Sequence, residues 1–155
     1  MTITPNDIKE RFIRYNEMYF EGVLKMCNFS VYKAQSYELA RFQSRQGKTK
    51  PRIWIAKQPS FNLEWTEEQL KQAIVHEMVH YYVSDILKRN TILCPHGMYF
   101  RKKCWHIYKR YGYKVNYNTY INRLFVLKKK EHLNIWNRIE LIYLKPINYL
   151  LGWIF

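Results

Sequence analysis

The stretch His76-Glu77-Met78-Val79-His80 matches the pattern H-E-x-x-H. On an α-helix, residues four apart lie on one face about 6 Å apart along the axis, so both imidazoles can converge on one Zn²⁺ ion. Glu77 is rotated about 100° from the first histidine, where its carboxylate can accept a proton from water at the metal without binding the metal itself. A pair of solvated or core histidines is the alternative, but this composition produces the pattern by chance at a rate of only about 1%. We therefore predict a zinc site on a helix, with Glu77 as the catalytic base.

The helix that carries this motif is predicted to be buried. Thr66 and Gln69 form a capping-box pattern at its start, and we expect it to end near Asn90. Apolar residues cover most of its sides: Leu70, Ala73, Ile74, Val75, Met78, Val79, Tyr81, Tyr82 and Ile86. A helix that is apolar on most sides lies inside its domain, where two histidines and a glutamate need polar partners such as a metal ion.

The flanking sequence predicts an α+β fold around this helix. A first helix is expected over residues 4–22, begun by a Thr-Pro cap. Short strands are expected at 29–33, 39–45 and 52–57, with the first two forming a hairpin. Another helix is predicted to end at Gly112. Its apolar stripe consists of Phe100, Cys104, Ile107, Tyr108 and Tyr111.

Length and composition indicate one globular domain in a reducing compartment. The chain has 155 residues and 48% hydrophobic residues, and its first residues lack the pattern of a signal peptide. Its apolar runs are too short for a transmembrane helix. The three cysteines, Cys27, Cys94 and Cys104, form no C-x-x-C pair, which argues against a disulfide framework and against a zinc ribbon. A cytoplasmic location is therefore expected.

The positive charge of the chain is unevenly distributed. The formal net charge is +14, and residues 86–130 contain twelve basic residues and no Asp or Glu. The remaining residues hold 14 basic and 12 acidic side chains and are nearly neutral. A segment with twelve uncompensated cations repels itself unless an anionic partner lies nearby.

A catalytic zinc ion usually has three protein ligands, so a third ligand is expected beside His76 and His80. His96 follows His80 by sixteen residues and precedes a new helix, a spacing that allows the chain to turn back over the first two histidines. The weaker candidates are His106, His132, Cys94, Glu131 and Glu140. The longer pattern H-E-x-x-H-x-x-G-x-x-H does not apply, because Val83 and Ile86 occupy its last defined positions.

The first motif, followed by His96-Gly97-Met98-Tyr99-Phe100, resembles the SprT-like metalloprotease domain, a family that includes the Spartan proteases that clear proteins crosslinked to DNA. Residues 19–24 also resemble the end of that family's first helix. The resemblance covers about residues 5–112. It implies a zinc-dependent peptidase in which His76, His80 and His96 bind zinc and Glu77 activates water.

The same resemblance implies a minigluzincin-like zincin fold, with a small mixed or antiparallel sheet packed on helices. Residues 1–112 would form the metallopeptidase domain, and residues 113–155 would be a basic and apolar C-terminal extension of the same domain without a zinc ribbon. The strand at 52–57 would lie along the cleft and hold a peptide by strand addition.

Cations and aromatic residues alternate in the acid-free region, which favours contact with DNA that does not depend on base sequence. The candidate contacts are Arg101, Lys102, Lys109, Arg110, Lys128, Lys129 and Lys130. A merely solvated face is one alternative. An anionic membrane surface is another, because the apolar tail at 147–155 follows the lysines.

The motifs predict a zinc metalloendopeptidase with Glu77 activating a zinc-bound water, and the family resemblance implies that it cleaves DNA-associated or DNA-crosslinked proteins. The alternative is a nucleic-acid-binding module with a structural or vestigial zinc site and no proteolysis. A zinc hydrolase that acts on a non-peptide amide is a third hypothesis. The sequence does not predict an oligomeric state.

Overall fold

The computed structural model describes residues 2–33, 39–45, 48–59, 64–89 and 95–116. Within these residues the chain forms three α-helices, three strands and one π-helical turn. In chain order the elements are α1 (Pro5–Phe20), β1 (Asn28–Tyr32), β2 (Ala40–Gln43), β3 (Arg52–Ala56), α2 (Glu67–Tyr81), the π-turn (Tyr82–Ile86) and α3 (Met98–Tyr111). The predicted α+β class is confirmed.

The three strands form one mixed sheet in the order β1-β3-β2. β1 runs parallel to β3, and β2 runs antiparallel to it. The predicted hairpin between 29–33 and 39–45 is therefore wrong, because β3 lies between the two. β3 is the most apolar strand, with Ile53, Ile55 and Ala56 fully buried, and it occupies the centre, where β1 and β2 cover both of its edges.

This order also overturns the prediction that the strand at 52–57 holds a peptide by strand addition. All five residues of β3 pair with β1, and four of them also pair with β2. A strand that is hydrogen-bonded on both sides has no free edge to offer a peptide. Among the described strands, β1 and β2 form the edges of the sheet.

Helix α1 begins and ends where the sequence predicts. The backbone N–H of Thr4 donates to Asp7 Oδ2 over 2.7 Å, while Thr4 Oγ1 accepts from the Asp7 N–H, so the two residues form a complete capping box. Pro5 occupies the first turn. The helix ends in two left-handed residues, Glu21 and Gly22, with φ of 58° and 69°.

Helix α2 forms the centre of the hydrophobic core. Its capping box joins Thr66 and Gln69 as predicted. The described residues that it buries completely are Leu70, Ile74, Val75, Met78 and Val79. The α-helix ends at Tyr81, earlier than expected, because the next turn widens into the π-turn, in which the Leu87 N–H donates to the Tyr82 carbonyl five residues earlier.

Helix α3 packs one face into the core and exposes the other. Phe100, Cys104 and Ile107 are buried, as their spacing predicts, and Gly112 ends the helix at a φ of 68°. Tyr108 departs from the predicted stripe, since its side chain is half-exposed. Among the described residues, no helix is both long and apolar enough to cross a membrane.

Candidate metal centre

Three imidazole rings meet at the C-terminal half of α2. His76 and His80 come from successive turns of that helix, and His96 comes from the turn that precedes α3. The Nε2 atom of His76 lies 3.2 Å from His80 Nε2 and 3.0 Å from His96 Nε2. Two ligands of a tetrahedral zinc ion, each about 2.0–2.1 Å from it, would be about 3.3–3.4 Å apart. The three side chains therefore have the spacing that a single metal ion requires.

The backbone fixes which nitrogen of His76 faces this cluster. His76 Nδ1 lies 2.8 Å from the carbonyl oxygen of Asn116. Because a carbonyl can only accept a hydrogen bond, Nδ1 carries the proton and Nε2 keeps its lone pair. A hydrogen bond from the ring nitrogen that does not face the metal orients a metal-binding histidine and makes it a better ligand.

The three rings are neutral at physiological pH. Burial is the main cause, and it lowers the pKa of His76 to about 4, that of His80 to about 2 and that of His96 to about 4. The neighbouring histidines lower the pKa of His80 and His96 further. Only a neutral imidazole binds a metal ion, so the site needs no proton release to accept one.

Phe100 forms an apolar floor beneath the three histidines. Its ring centroid lies 5.0 Å from that of His76, 4.5 Å from that of His80 and 4.7 Å from that of His96. The side chain is fully buried on the first turn of α3. It thereby restricts the orientation of all three rings.

A sequence model of the SprT-like family matches residues 8–122, or 115 of the 155 residues. The chain belongs to the SprT-like family. A search of curated proteins gave no match. The match extends through α3 and the residues that follow it, so the SprT-like region includes all three histidines, Phe100 and Asn116.

Glu77 lies beside the first histidine of the SprT-like motif, as the sequence predicts. Its side chain is buried, with 4% of its surface exposed, in the middle of α2. This placement is compatible with the predicted role of Glu77, because a carboxylate next to a metal-binding histidine can accept a proton from water at the metal.

Arg101 forms a hydrogen bond to the turn of the SprT-like region that carries His96. Its Nε donates to the carbonyl of His96 over 3.0 Å, and the side chain is half-buried. The bond closes the turn that carries the third histidine. The positive charge of Arg101 also contributes to lowering the pKa of His96. The predicted contact of Arg101 with nucleic acid stays a prediction.

The other predicted cations of the SprT-like region lie on the exposed face of α3. Lys102 and Lys109 are exposed, and the Lys109 ammonium lies 5.7 Å from the centre of the Trp105 ring. Arg110 is exposed but forms an ion pair with Glu21 at the end of α1. The remaining predicted contacts, Lys128, Lys129 and Lys130, lie outside the described residues.

Of the weaker ligand candidates, His106 is exposed on α3, and it is not part of the cluster. Cys94, His132, Glu131 and Glu140 lie outside the described residues, as does the tail at 147–155. Among the described residues, His76, His80 and His96 form the one group of three or more side chains with metal-binding spacing.

Sequence analysis missed two contributors to the site. Phe100 was assigned to an apolar stripe and to the motif behind the family resemblance, but neither pattern reveals which rings its side chain contacts. Asn116 was missed entirely, because it acts through its main-chain carbonyl, which every residue type carries. Only the H-G-x-x-F pattern, which places Phe100 one turn into the helix that follows His96, offered a signal.

Proposed function

We propose that this SprT-like protein is a zinc-dependent metalloendopeptidase with a minigluzincin-like fold. The observation that carries this proposal is the convergence of three neutral imidazoles from α2 and the following turn, with a buried glutamate beside the first. Three nitrogen ligands and an open fourth position are typical of catalytic zinc sites, whereas structural sites have four protein ligands. Family membership supports the choice of zinc.

The side chains divide the chemistry between them. A bound zinc ion supplies Lewis acidity, which lowers the pKa of water and polarises a carbonyl. His76, His80 and His96 hold the ion, and the Asn116 carbonyl keeps the His76 ring in its binding tautomer. The Glu77 carboxylate takes a proton from the attacking water and passes it to the leaving amine.

The substitution Glu77→Gln tests this assignment. The amide keeps the size of the side chain but cannot accept the proton, so we expect cleavage of an unfolded protein substrate to fall by at least about a hundredfold. Zinc content, measured by atomic absorption, should stay at one ion per chain. The exposed Glu17→Gln on α1 is the matched control. Wild-type cleavage in Glu77→Gln would remove Glu77 from the mechanism.

We further propose that the substrates are proteins held on or crosslinked to DNA, in the cytoplasm. The acid-free region supports this, because the exposed face of α3 presents Lys102, Lys109, Trp105 and Tyr108 together. Cations neutralise phosphates, and exposed aromatic rings stack on unpaired bases. Cys27 and Cys104 are free and buried, as a reducing compartment favours.

The same face supports the second candidate, a nucleic-acid-binding module without proteolysis. The two candidates differ at the metal. If the protein binds zinc, and if cobalt put in its place shows a fourth ligand that exchanges with solvent, the result favours the peptidase. DNA binding with no cleavage of any protein, on single-stranded or double-stranded DNA, favours the binding module.

A further inference from the structure

We propose that Gln72 is a positioning residue of the metal site, which holds the main chain at residues 114–116 so that the carbonyl of Asn116 selects the binding tautomer of His76. The inference deepens the proposed function and rests on it for the identity of the metal. Gln72 lies on α2, one helical turn before His76, and is partly buried.

The Gln72 side-chain amide forms hydrogen bonds both as an acceptor and as a donor. Its Oε1 accepts from the backbone N–H of Asn116 over 3.1 Å. Its Nε2 donates to the backbone carbonyl of Lys114 over 2.9 Å and to Glu68 Oε1 over 3.2 Å. The amide thus pairs with the main chain of two alternate residues, much as a neighbouring strand would. A side chain with only donors or only acceptors cannot make both bonds.

Gln72 and His76 contact the same residue from two sides. Gln72 holds the N–H of Asn116, and the carbonyl of that residue accepts the hydrogen bond from His76 Nδ1 at 2.8 Å. Fixing the N–H therefore restricts where the carbonyl can lie. If the carbonyl moves away, the His76 proton can shift to Nε2, the atom that faces His80 and His96, and that atom loses its lone pair.

Other contacts keep the 113–116 segment on the domain without Gln72. Val115 is buried, with 2% of its surface exposed. The Tyr113 hydroxyl donates to Glu68 over 3.2 Å, and its ring stacks on Tyr19 at 5.1 Å between centroids. Removing Gln72 should therefore loosen residue 116 and leave the fold intact.

The test uses Gln72→Met in the full chain, since methionine has a similar length and neither of the two hydrogen-bonding groups. We expect zinc affinity, measured by competition with a chelator, to fall about tenfold, as for other outer-shell partners of metal ligands. Imidazole ¹⁵N NMR of the metal-free protein should show His76 losing its Nδ1–H form. Gln69→Met is the matched control, because the hydrogen bonds that it removes on the same helix are those of the cap with Thr66.

Gln72→Glu is the second variant, and it keeps the acceptor for Asn116 while facing the Lys114 carbonyl with a carboxylate. We expect a similar loss of affinity and the same spectral change. Wild-type affinity and an unchanged His76 tautomer in both variants would overturn the proposal. The NMR measurement needs no metal, so the role of Gln72 is tested even if the wild-type protein binds no zinc, a result that would count against the proposed function alone.

Discussion

Phe100 contacts all three imidazoles from a fully buried position, so its role can be tested through metal binding. Phe100→Leu keeps the site apolar but removes the flat surface that the rings pack against. We expect zinc affinity to fall about tenfold and stability to fall by about 1 kcal/mol. Ile107 is fully buried on the same helix, and Ile107→Val should lower the free energy of unfolding by a similar amount without changing zinc affinity. Equal zinc affinity in wild type and Phe100→Leu would contradict the role of a floor.

The depressed pKa values of the histidines predict an acid-labile metal-free protein. Burial holds the pKa of His76 and His96 at about 4, below the ordinary value of 6.5. As pH falls from about 6.5 to about 4, the unfolded chain takes up protons at these positions while the folded chain does not, so stability falls across that window.

Urea denaturation at pH 7 and pH 5 in the presence of a chelator measures this effect. His96→Gln should reduce the loss of stability between the two pH values, because it removes one of the responsible groups. His106→Gln, exposed on α3, should leave the loss unchanged. An equal loss in wild type and His96→Gln would show that another group is responsible.

At the residue scale, the sequence predicts what depends on side-chain type and local spacing. His76 and His80 follow from their four-residue separation on one helix, and Glu77 follows from its place between them. The role of His96 depends on how the chain turns, so the residues alone left alternatives open and the family resemblance selected it. The hydrogen bond from Arg101 to the His96 carbonyl was not predicted, because spacing on a helix does not show which neighbour a long side chain reaches.

At the scale of elements, the Asn16 side chain forms hydrogen bonds that hold the end of α1 to the residues that follow the helix. Its Nδ2 donates to the Leu24 carbonyl over 2.9 Å, and its Oδ1 accepts from the Leu24 N–H over 3.2 Å, with the side chain buried. Asn16→Ala leaves both backbone groups buried without these partners. We expect the free energy of unfolding to fall by about 2 kcal/mol, measured by urea denaturation.

Asn6→Ala provides the comparison for that measurement. Asn6 is exposed on the first turn of α1, where its side chain bonds to Glu10. Its loss should cost less than about 0.5 kcal/mol. A similar cost for the two substitutions would show that the Leu24 contacts contribute little.

The elements themselves were largely predictable, and their pairing was not. Capping residues and apolar spacing located the helix starts at Thr4 and Thr66 because those signals are local. The predicted hairpin between the first two strands was wrong because neighbours in sequence are often, but not always, neighbours in a sheet. The apolar character of β3, with Ile53 and Ile55, was the available clue that it lies at the centre.

At the scale of the whole molecule, the charge asymmetry predicts DNA binding that depends on salt. Lys102→Ala combined with Lys109→Ala removes two exposed cations from α3. We expect weaker binding to a single-stranded oligonucleotide, and a plot of log affinity against log salt whose slope is smaller in magnitude by about 1.4, or about 0.7 for each lost phosphate contact. Fluorescence anisotropy at several salt concentrations measures both.

Lys48→Ala combined with Lys50→Ala is the control, because it changes the net charge equally at exposed positions before β3. That variant should keep the wild-type salt slope. Equal slopes in the two double variants would assign the effect to net charge and would remove α3 from the proposed DNA surface.

The hydrogen bond between Asn116 and His76 is accepted by a peptide carbonyl. It therefore depends on the number of residues before position 116, and not on which side chain stands there. Most substitutions at position 116 leave that oxygen in place, and an alanine scan would record the position as neutral. Adding or deleting one residue between Gly112 and position 116 would instead present the wrong peptide to the imidazole. The proposed metal site is therefore more sensitive there to a change in chain length than to any single substitution of a side chain.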